Sequence, residues 1–338
     1  MKILLDENKN FYKANLHCHS TLSDGKMSVR KLKSEFKKRG YSILAFTDHE
    51  HIIDNSELND DEFLAITSCE ISIKQFPKQS TILNRNMKVC HLNFYAIEPH
   101  NDITPCYSVM ADHFINEENK NRIKYENDYE REYSAECINE IIKKANNSGF
   151  LVAYNHPVWS LENARDYLNY EGLFAVEIFN NNCIKGGIPE YSVNVFDDFL
   201  RDGKRIFCTM CDDCHEDADI NSPDFDAFGG FVMVNSEKLD YSSVITALKN
   251  GDFYSSNGPL IYSLSVEGKK VKIKCSNAKQ IAYTTFGRRA KAFNAKSGEI
   301  LNFAEFSIND NDVYFRITVT DANGNHAHTQ GYFLKDLF

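Results

Sequence analysis

The feature that most constrains this chain is where its histidines and carboxylates fall. They stand where apolar, strand-like runs end. Residues 14–16 lead into His17 and His19, residues 41–47 into Asp48 and His49, and residues 63–66 toward Glu70. His91 belongs to the run 89–97, residues 149–154 end at His156, and residues 205–209 lead to Asp213 and His215. Helical patterns lie between them. Residues 28–39 put Val29, Leu32 and Phe36 on one face with Gly40 at the expected C-cap, and residues 134–147 do the same with Cys137, Ile138, Ile141 and Ile142.

Apolar strands separated by amphipathic helices predict an α/β protein, a parallel sheet or barrel covered by helices. In a parallel α/β barrel the strand C-termini open on one face, where catalytic residues gather. Residues far apart in the chain would converge there. Imidazole and carboxylate together suit zinc, iron or manganese, and a His-x-His pair at a strand end projects both rings to one side.

Each signal alone is weak, and the chain supplies its own controls. His49-Glu50-His51 and His326-Ala327-His328 repeat the His-x-His spacing, and the second, with no carboxylate motif nearby, reads as a strand face. An Asp-His pair after a strand is usually a cap, and a histidine before proline is usually structural. Seven such signals in strand order are much harder to assign to chance. Cys208, Cys211 and Cys214 mimic part of an iron–sulfur run, but the fourth cysteine and its proline are absent. Glu177 reads equally as a pocket carboxylate and as a structural one, and Trp159 equally as a pocket wall and as core. No Gly-x-Gly-x-x-Gly, Walker or Gly-x-Ser-x-Gly loop is present, so neither a nucleotide cofactor nor a serine nucleophile is indicated.

Taken jointly, His17-Cys18-His19, Ser23-Asp24-Gly25, Thr47-Asp48-His49, Ser68-Cys69-Glu70, His91, Asn155-His156-Pro157 and Asp213-Cys214-His215 resemble the PHP (polymerase and histidinol phosphatase) domain family over residues 12–258. The resemblance implies a distorted (β/α)7 barrel and a trinuclear site holding two to three divalent ions, zinc, manganese or iron. His17, His19, Glu70 and Asp213 would hold the first ion. Glu70 would bridge to a second, completed by His91 and His156, while Asp24, His49 and His215 would hold a third. His215, Glu70 and Asp213 are the expected catalytic residues. Asp48 is expected to orient a ligand, and Asp212, outside the motif spacing, to be a supporting or surface carboxylate. The implied activity is hydrolysis of a small phosphorylated metabolite or nucleotide. The alternatives are a metallohydrolase of non-phosphate esters or carbamates and, from another class, a catalytically inactive binding scaffold.

Past residue 258 the texture changes. Alternating runs such as 263–266, 271–274 and 313–319, punctuated by Gly-containing turns, predict a small antiparallel β domain over 259–338 after a hydrolase unit over 1–258. The polar stretch 100–133 reads as an exposed helix in preference to a lid. A formal charge of −10 argues against long nucleic acid as partner. No run of 18 apolar residues predicts a membrane span. Ten scattered cysteines without a secretory leader fit a reducing, cytoplasmic setting. The sequence is silent on oligomeric state.

Overall fold

A computed structural model describes residues 1–76, 86–115 and 117–338, with the backbone alone for 112–114 and 117–118. In chain order the strands are β1 (Lys2–Leu5), β2 (Asn10–Asn15), β3 (Tyr41–Phe46), β4 (Leu64–Lys74), β5 (Val89–Ala96), β6 (Phe150–Tyr154), β7 (Ala175–Asn180), β8 (Phe207–Cys211), β9 (Phe231–Ser236) and β10 (Phe253–Ser256). There follow β11 (Ile261–Glu267), β12 (Lys270–Ala278), β13 (Gln280–Thr285), β14 (Ala290–Asn294), β15 (Leu301–Ser307), β16 (Tyr314–Thr320), β17 (His326–His328) and β18 (Tyr332–Phe333). The fold is mixed α/β. One large sheet runs in the order β14-β13-β16-β17-β10-β9-β2-β3-β4-β5-β6-β7-β8, and a smaller antiparallel sheet runs β1-β11-β12-β15.

Helices start where their caps dictate. The Ser28 side chain accepts from the Lys31 amide to open the helix Val29–Lys37, which buries Leu32 and Phe36. The Ser134 side chain does the same for Ala135–Asn147, which buries Ile138, Ile141, Ile142 and Ala145. Gly40, with φ +78°, follows the first helix in the left-handed region that favours glycine.

The expectation of uniformly parallel strands needs correction. β2, β3 and β4 are parallel, as are β6, β7 and β8, but β5 runs antiparallel to both β4 and β6. The connection from β4 to β5 holds no crossover helix among its described residues, and Gln75 N–H donates to the Lys88 carbonyl at 3.1 Å, continuing an antiparallel ladder. β4 is also longer than its apolar run. Glu70 therefore sits inside the strand, where pairing passes from β3 to β5.

The two ends of the β2-to-β8 path meet. Asp213 N–H donates to the His17 carbonyl (2.9 Å), His19 N–H donates to the Cys214 carbonyl (3.0 Å), and Cys18 and Cys214 form a parallel bridge. The C-terminal strands have a core of their own, built on Tyr283, Phe306, Phe315 and Ile317. Leu5 belongs to that core, because β1 pairs with β11.

The stretch 100–133 is not the exposed helix its polarity suggested. Its described residues form only a 3-10 turn at Val109–Phe114 and the short helix Glu117–Lys120, and Asn116 lies outside the described residues. Lacking an apolar stripe, the segment is held by backbone bonds and by Arg131. That guanidinium reaches buried Glu50 (2.5 Å) and the carbonyls of Ser72 and Cys106. No described helix is long and apolar enough to cross a membrane.

Candidate metal centre

All nine side chains singled out by position come together in three overlapping groups of ligand atoms: His17, His19, Glu70 and Asp213; Glu70, His91 and His156; His19, Asp24, His49 and His215. The reversed β5 accounts for His91. It is the third residue of its strand, and because that strand points the other way, its beginning shares a face with its neighbours' ends.

Glu70 is the hub. Its Oε1 lies 3.0 Å from His91 Nδ1, 3.2 Å from His156 Nε2 and 3.3 Å from His17 Nε2, and it accepts from Asn155 Nδ2 at 2.7 Å. Its Oε2 lies 3.2 Å from His49 Nδ1 and 3.5 Å from His19 Nε2. Asp213 Oδ1 lies 3.1 Å from His17 Nε2 and 3.0 Å from His19 Nε2. Asp24 is looser, its oxygens 3.5–3.7 Å from His215, His49 and His19.

These residues fit bound cations. His17 Nδ1 faces the Glu177 carboxylate at 3.1 Å, and a carboxylate can only accept, so the ring proton sits on Nδ1. In neutral His17 the Nε2 lone pair then points at the lone pairs of Glu70 and Asp213, an arrangement that needs a positive charge between them. His19 Nδ1 is buried with no hydrogen-bond partner. Without metal, protons fill that role. Burial opposes the charging of His17, but Asp213, Glu70 and Glu177 outweigh it and raise its pKa well above the ordinary value. His19 is raised to about 9, its burial overcome chiefly by Asp213. Glu70 and Asp213 are held well below the usual carboxylate range despite burial, mainly by their histidine neighbours. His49 is driven well down by burial and by nearby His19.

The backbone is strained where it presents two of these groups, since His156 and Asp213 have φ of +27° and +55°. Gly25 explains itself by proximity. A Cβ there would lie 2.7 Å from the backbone of His19, so Asp24 approaches the centre only with glycine next to it.

A ring of supporting groups surrounds the centre. The Asp48 carbonyl accepts from the Glu70 amide at 3.2 Å, while its carboxylate reaches none of the nine side chains. It accepts from the amides and hydroxyls of Ser20 and Ser23, fixing the loop that carries Asp24. Asp212 is fully buried and accepts from Asn15 and from the Phe228, Gly229 and Gly230 amides, which excludes a surface role. Burial pushes its carboxyl up to about 7 against those backbone donors. Glu177 turns inward, to His17 and to the His156 amide. Asn180 joins it to Asp213, donating to each at 3.0 Å. Asn180 carried no motif, and its only signal was its place at the end of β7. Cys208, Cys211 and Cys214 disperse into three separate apolar clusters, so they do not form a cluster site. His326 and His328 pair as a strand with β16 and β10, remote from the nine.

The centre opens into a cavity of about 760 Å³, whose further lining includes Lys74, Met87, Lys88, Trp159, Leu161 and Ile188. Trp159 is thus a cavity wall.

The sequence profile of the PHP domain matches residues 15–211, more than half of the chain. The chain belongs to the PHP domain family. The matched span takes in seven of the nine residues, and Asp213 and His215 follow just beyond it. No significant relative is found among curated proteins. Three solved structures are similar to this PHP protein. A two-domain protein from Bacteroides vulgatus with a predicted PHP-like metal-dependent phosphoesterase is 13% identical, with a TM-score of 0.47 over 94% of this chain and 92% of its own. An amidohydrolase from Chromobacterium violaceum is 13% identical (TM-score 0.37, 64% and 94%). A protein from Bifidobacterium adolescentis assigned as a metal-dependent phosphoesterase is 15% identical (TM-score 0.36, 62% and 90%). A PHP domain with buried His, Asp and Glu groups of this kind is a metal-dependent hydrolase.

Proposed function

We propose that this protein is a phosphoesterase that hydrolyses a small phosphorylated metabolite or nucleotide at a trinuclear centre. The observation that carries the reading is Glu70, buried and shared between two groups of ligand atoms, with His19 shared between two as well. Shared ligands hold cations close together, as hydrolysis at a phosphorus centre needs. His17, His19, Glu70 and Asp213 would hold one zinc, manganese or iron ion, Glu70, His91 and His156 a second, and Asp24, His49 and His215 a third. Such ions would acidify the attacking water and offset charge building on the phosphoryl oxygens. The protein's own groups do the rest. Glu70 and Asp213 orient the centre and would hold the attacking water in place through the ions, its proton passing to solvent in the cavity. His215 borders the cavity with its Nδ1 proton held by the Asp213 carbonyl at 2.9 Å, so its Nε2 would serve the third ion beside the leaving group, and the leaving oxygen would take its proton from solvent.

Several readings accompany this one. The seven strands β2 to β8 are taken as the distorted (β/α)7 barrel of the family, residues 1–258 as the hydrolase unit and 259–338 as a β domain. Ten free cysteines support a reducing, cytoplasmic setting. The partner is a small phosphoester, with neither membrane nor long nucleic acid involved.

The test is a panel of phosphate monoesters, dinucleotides and aryl carbamates with added manganese or zinc. Turnover of phosphate esters is expected. Turnover of carbamates alone would overturn the assignment, and less than one bound metal per purified chain would point to a scaffold.

A further inference from the structure

Beyond the metal groups the cavity is lined by an apolar patch, Met87, Trp159, Leu161 and Ile188, alongside the charged Lys74 and Lys88, and this patch has no part in the chemistry above. A phosphoryl group fills only a small part of 760 Å³, and a cavity of that size ordinarily buries a whole small ligand. Its dominant feature is the chain's single tryptophan. Trp159 keeps 38% of its surface open although most of the large aromatic side chains are interior. Its ring centroid lies 5.0 Å from that of His91 and 4.9 Å from that of His156, in tilted and edge-on contact, so it stands directly beside the metal centre. Met87, Leu161 and Ile188 continue the apolar surface.

The indole rests against the His91 and His156 rings, and the turn that carries it is pinned. The Trp159 amide donates to Glu190 Oε2 at 2.7 Å and the Val158 amide to Glu190 Oε1 at 3.3 Å. Backbone bonds from Ser160 to His156 and from Val89 to Ser160 tie the turn to the centre and to β5. Holding a large ring half-exposed in a fixed orientation loses the apolar burial it would gain in a core, and it provides a preorganised face for another ring.

Building on the phosphoesterase reading, we propose that Trp159 is a specificity-determining residue that seats a flat aryl or heteroaryl leaving group beside the metal centre. A ring bonded to the ester oxygen rests against the indole while the phosphoryl group faces His91, His156 and Glu70. Aliphatic leaving groups of equal charge lack the face that the indole recognises.

With one tryptophan in the chain, emission excited at wavelengths where indole absorbs and tyrosine does not reports on this position alone. The metal-loaded full chain is titrated with phenylphosphonate and with methylphosphonate, two anions of like charge. Phenylphosphonate is expected to shift the emission saturably and to bind about fivefold or more tighter. In turnover, the ratio of kcat/KM for phenyl phosphate to that for glycerol phosphate is expected to fall about tenfold in Trp159→Ala and to be largely kept in Trp159→Phe, at unchanged metal content. Equal losses on both substrates would mean that Trp159 only props His91 and His156, and would overturn the proposal. So would equal binding of the two phosphonates. If the wild-type protein hydrolyses neither ester, the phosphoesterase reading fails, while the phosphonate titration still decides whether a ring is seated.

Discussion

Glu177 holds His17 by its Nδ1 at 3.1 Å and, with its other oxygen, accepts from the His156 amide at 3.2 Å. One carboxylate on β7 thereby orients two residues that face different ion positions, and it fixes the tautomer that turns His17 Nε2 toward Glu70 and Asp213. Glu177→Gln keeps the shape and the acceptor oxygen but removes the charge. Metal affinity is expected to fall about 10- to 100-fold with little change in melting temperature. Metal titration followed by calorimetry checks this, and unchanged affinity would assign Glu177 a packing role only.

His17→Ala and Asp213→Asn each remove a ligand from the most buried group. Both variants are expected to stay folded by circular dichroism and to lose hydrolysis essentially completely, together with at least one metal equivalent. Near-full turnover in either would contradict the ligand assignment.

Gly25→Ala places a methyl group 2.7 Å from the His19 backbone, a contact with no flexible side chain to yield. The loop must move, and Asp24 with it. A stability loss of about 1–3 kcal/mol is expected from the overpacking. Loss of the ion nearest Asp24 before the other two should accompany it, read by anomalous scattering or metal counting. A variant with wild-type stability and metal content would show that the approach of Gly25 to His19 is not required.

A pH effect is expected far from the centre. His328 on β17 is buried between the Tyr191 hydroxyl (2.7 Å from Nε2) and Thr318 Oγ1 (3.1 Å from Nδ1). Burial, with Arg316 and His326 adding repulsion, holds its pKa well below the ordinary 6.5. Below that ordinary value the unfolded chain takes up a proton that the folded chain refuses. The stabilising contribution is therefore complete above pH 6.5 and is lost as pH falls toward the lowered folded value. Between about pH 7.5 and about pH 5 the melting temperature of His328→Gln should drop less than that of the wild type. Parallel curves would refute this.

How much of this was legible beforehand depended on the kind of signal. His17, His19, Asp24, His49, Glu70, His91, His156, Asp213 and His215 were readable because each sits in or beside an apolar run or a short motif, and that position survives folding. Strand direction was not readable, since an apolar run looks the same in either sense. That is why β5 came as a reversal and His91 reached the centre from the start of a strand. Asp212, Asn180 and Asp48 act through partners distant in sequence, and no periodicity marks such contacts. The pairing of β1 with β11 joins residues some 260 positions apart, a closure that only tertiary packing decides.

The left-handed backbone at His156 and Asp213 has a bearing on how such a protein ages over generations. Strained φ values at these two positions weigh against the fold whether or not metal is bound. Replacing either residue with glycine relieves part of that burden, so such inactivating changes make the chain easier to fold. Loss of chemistry is the thermodynamically downhill direction for this architecture. A lineage keeps the full set of nine only while something continues to select for the reaction itself.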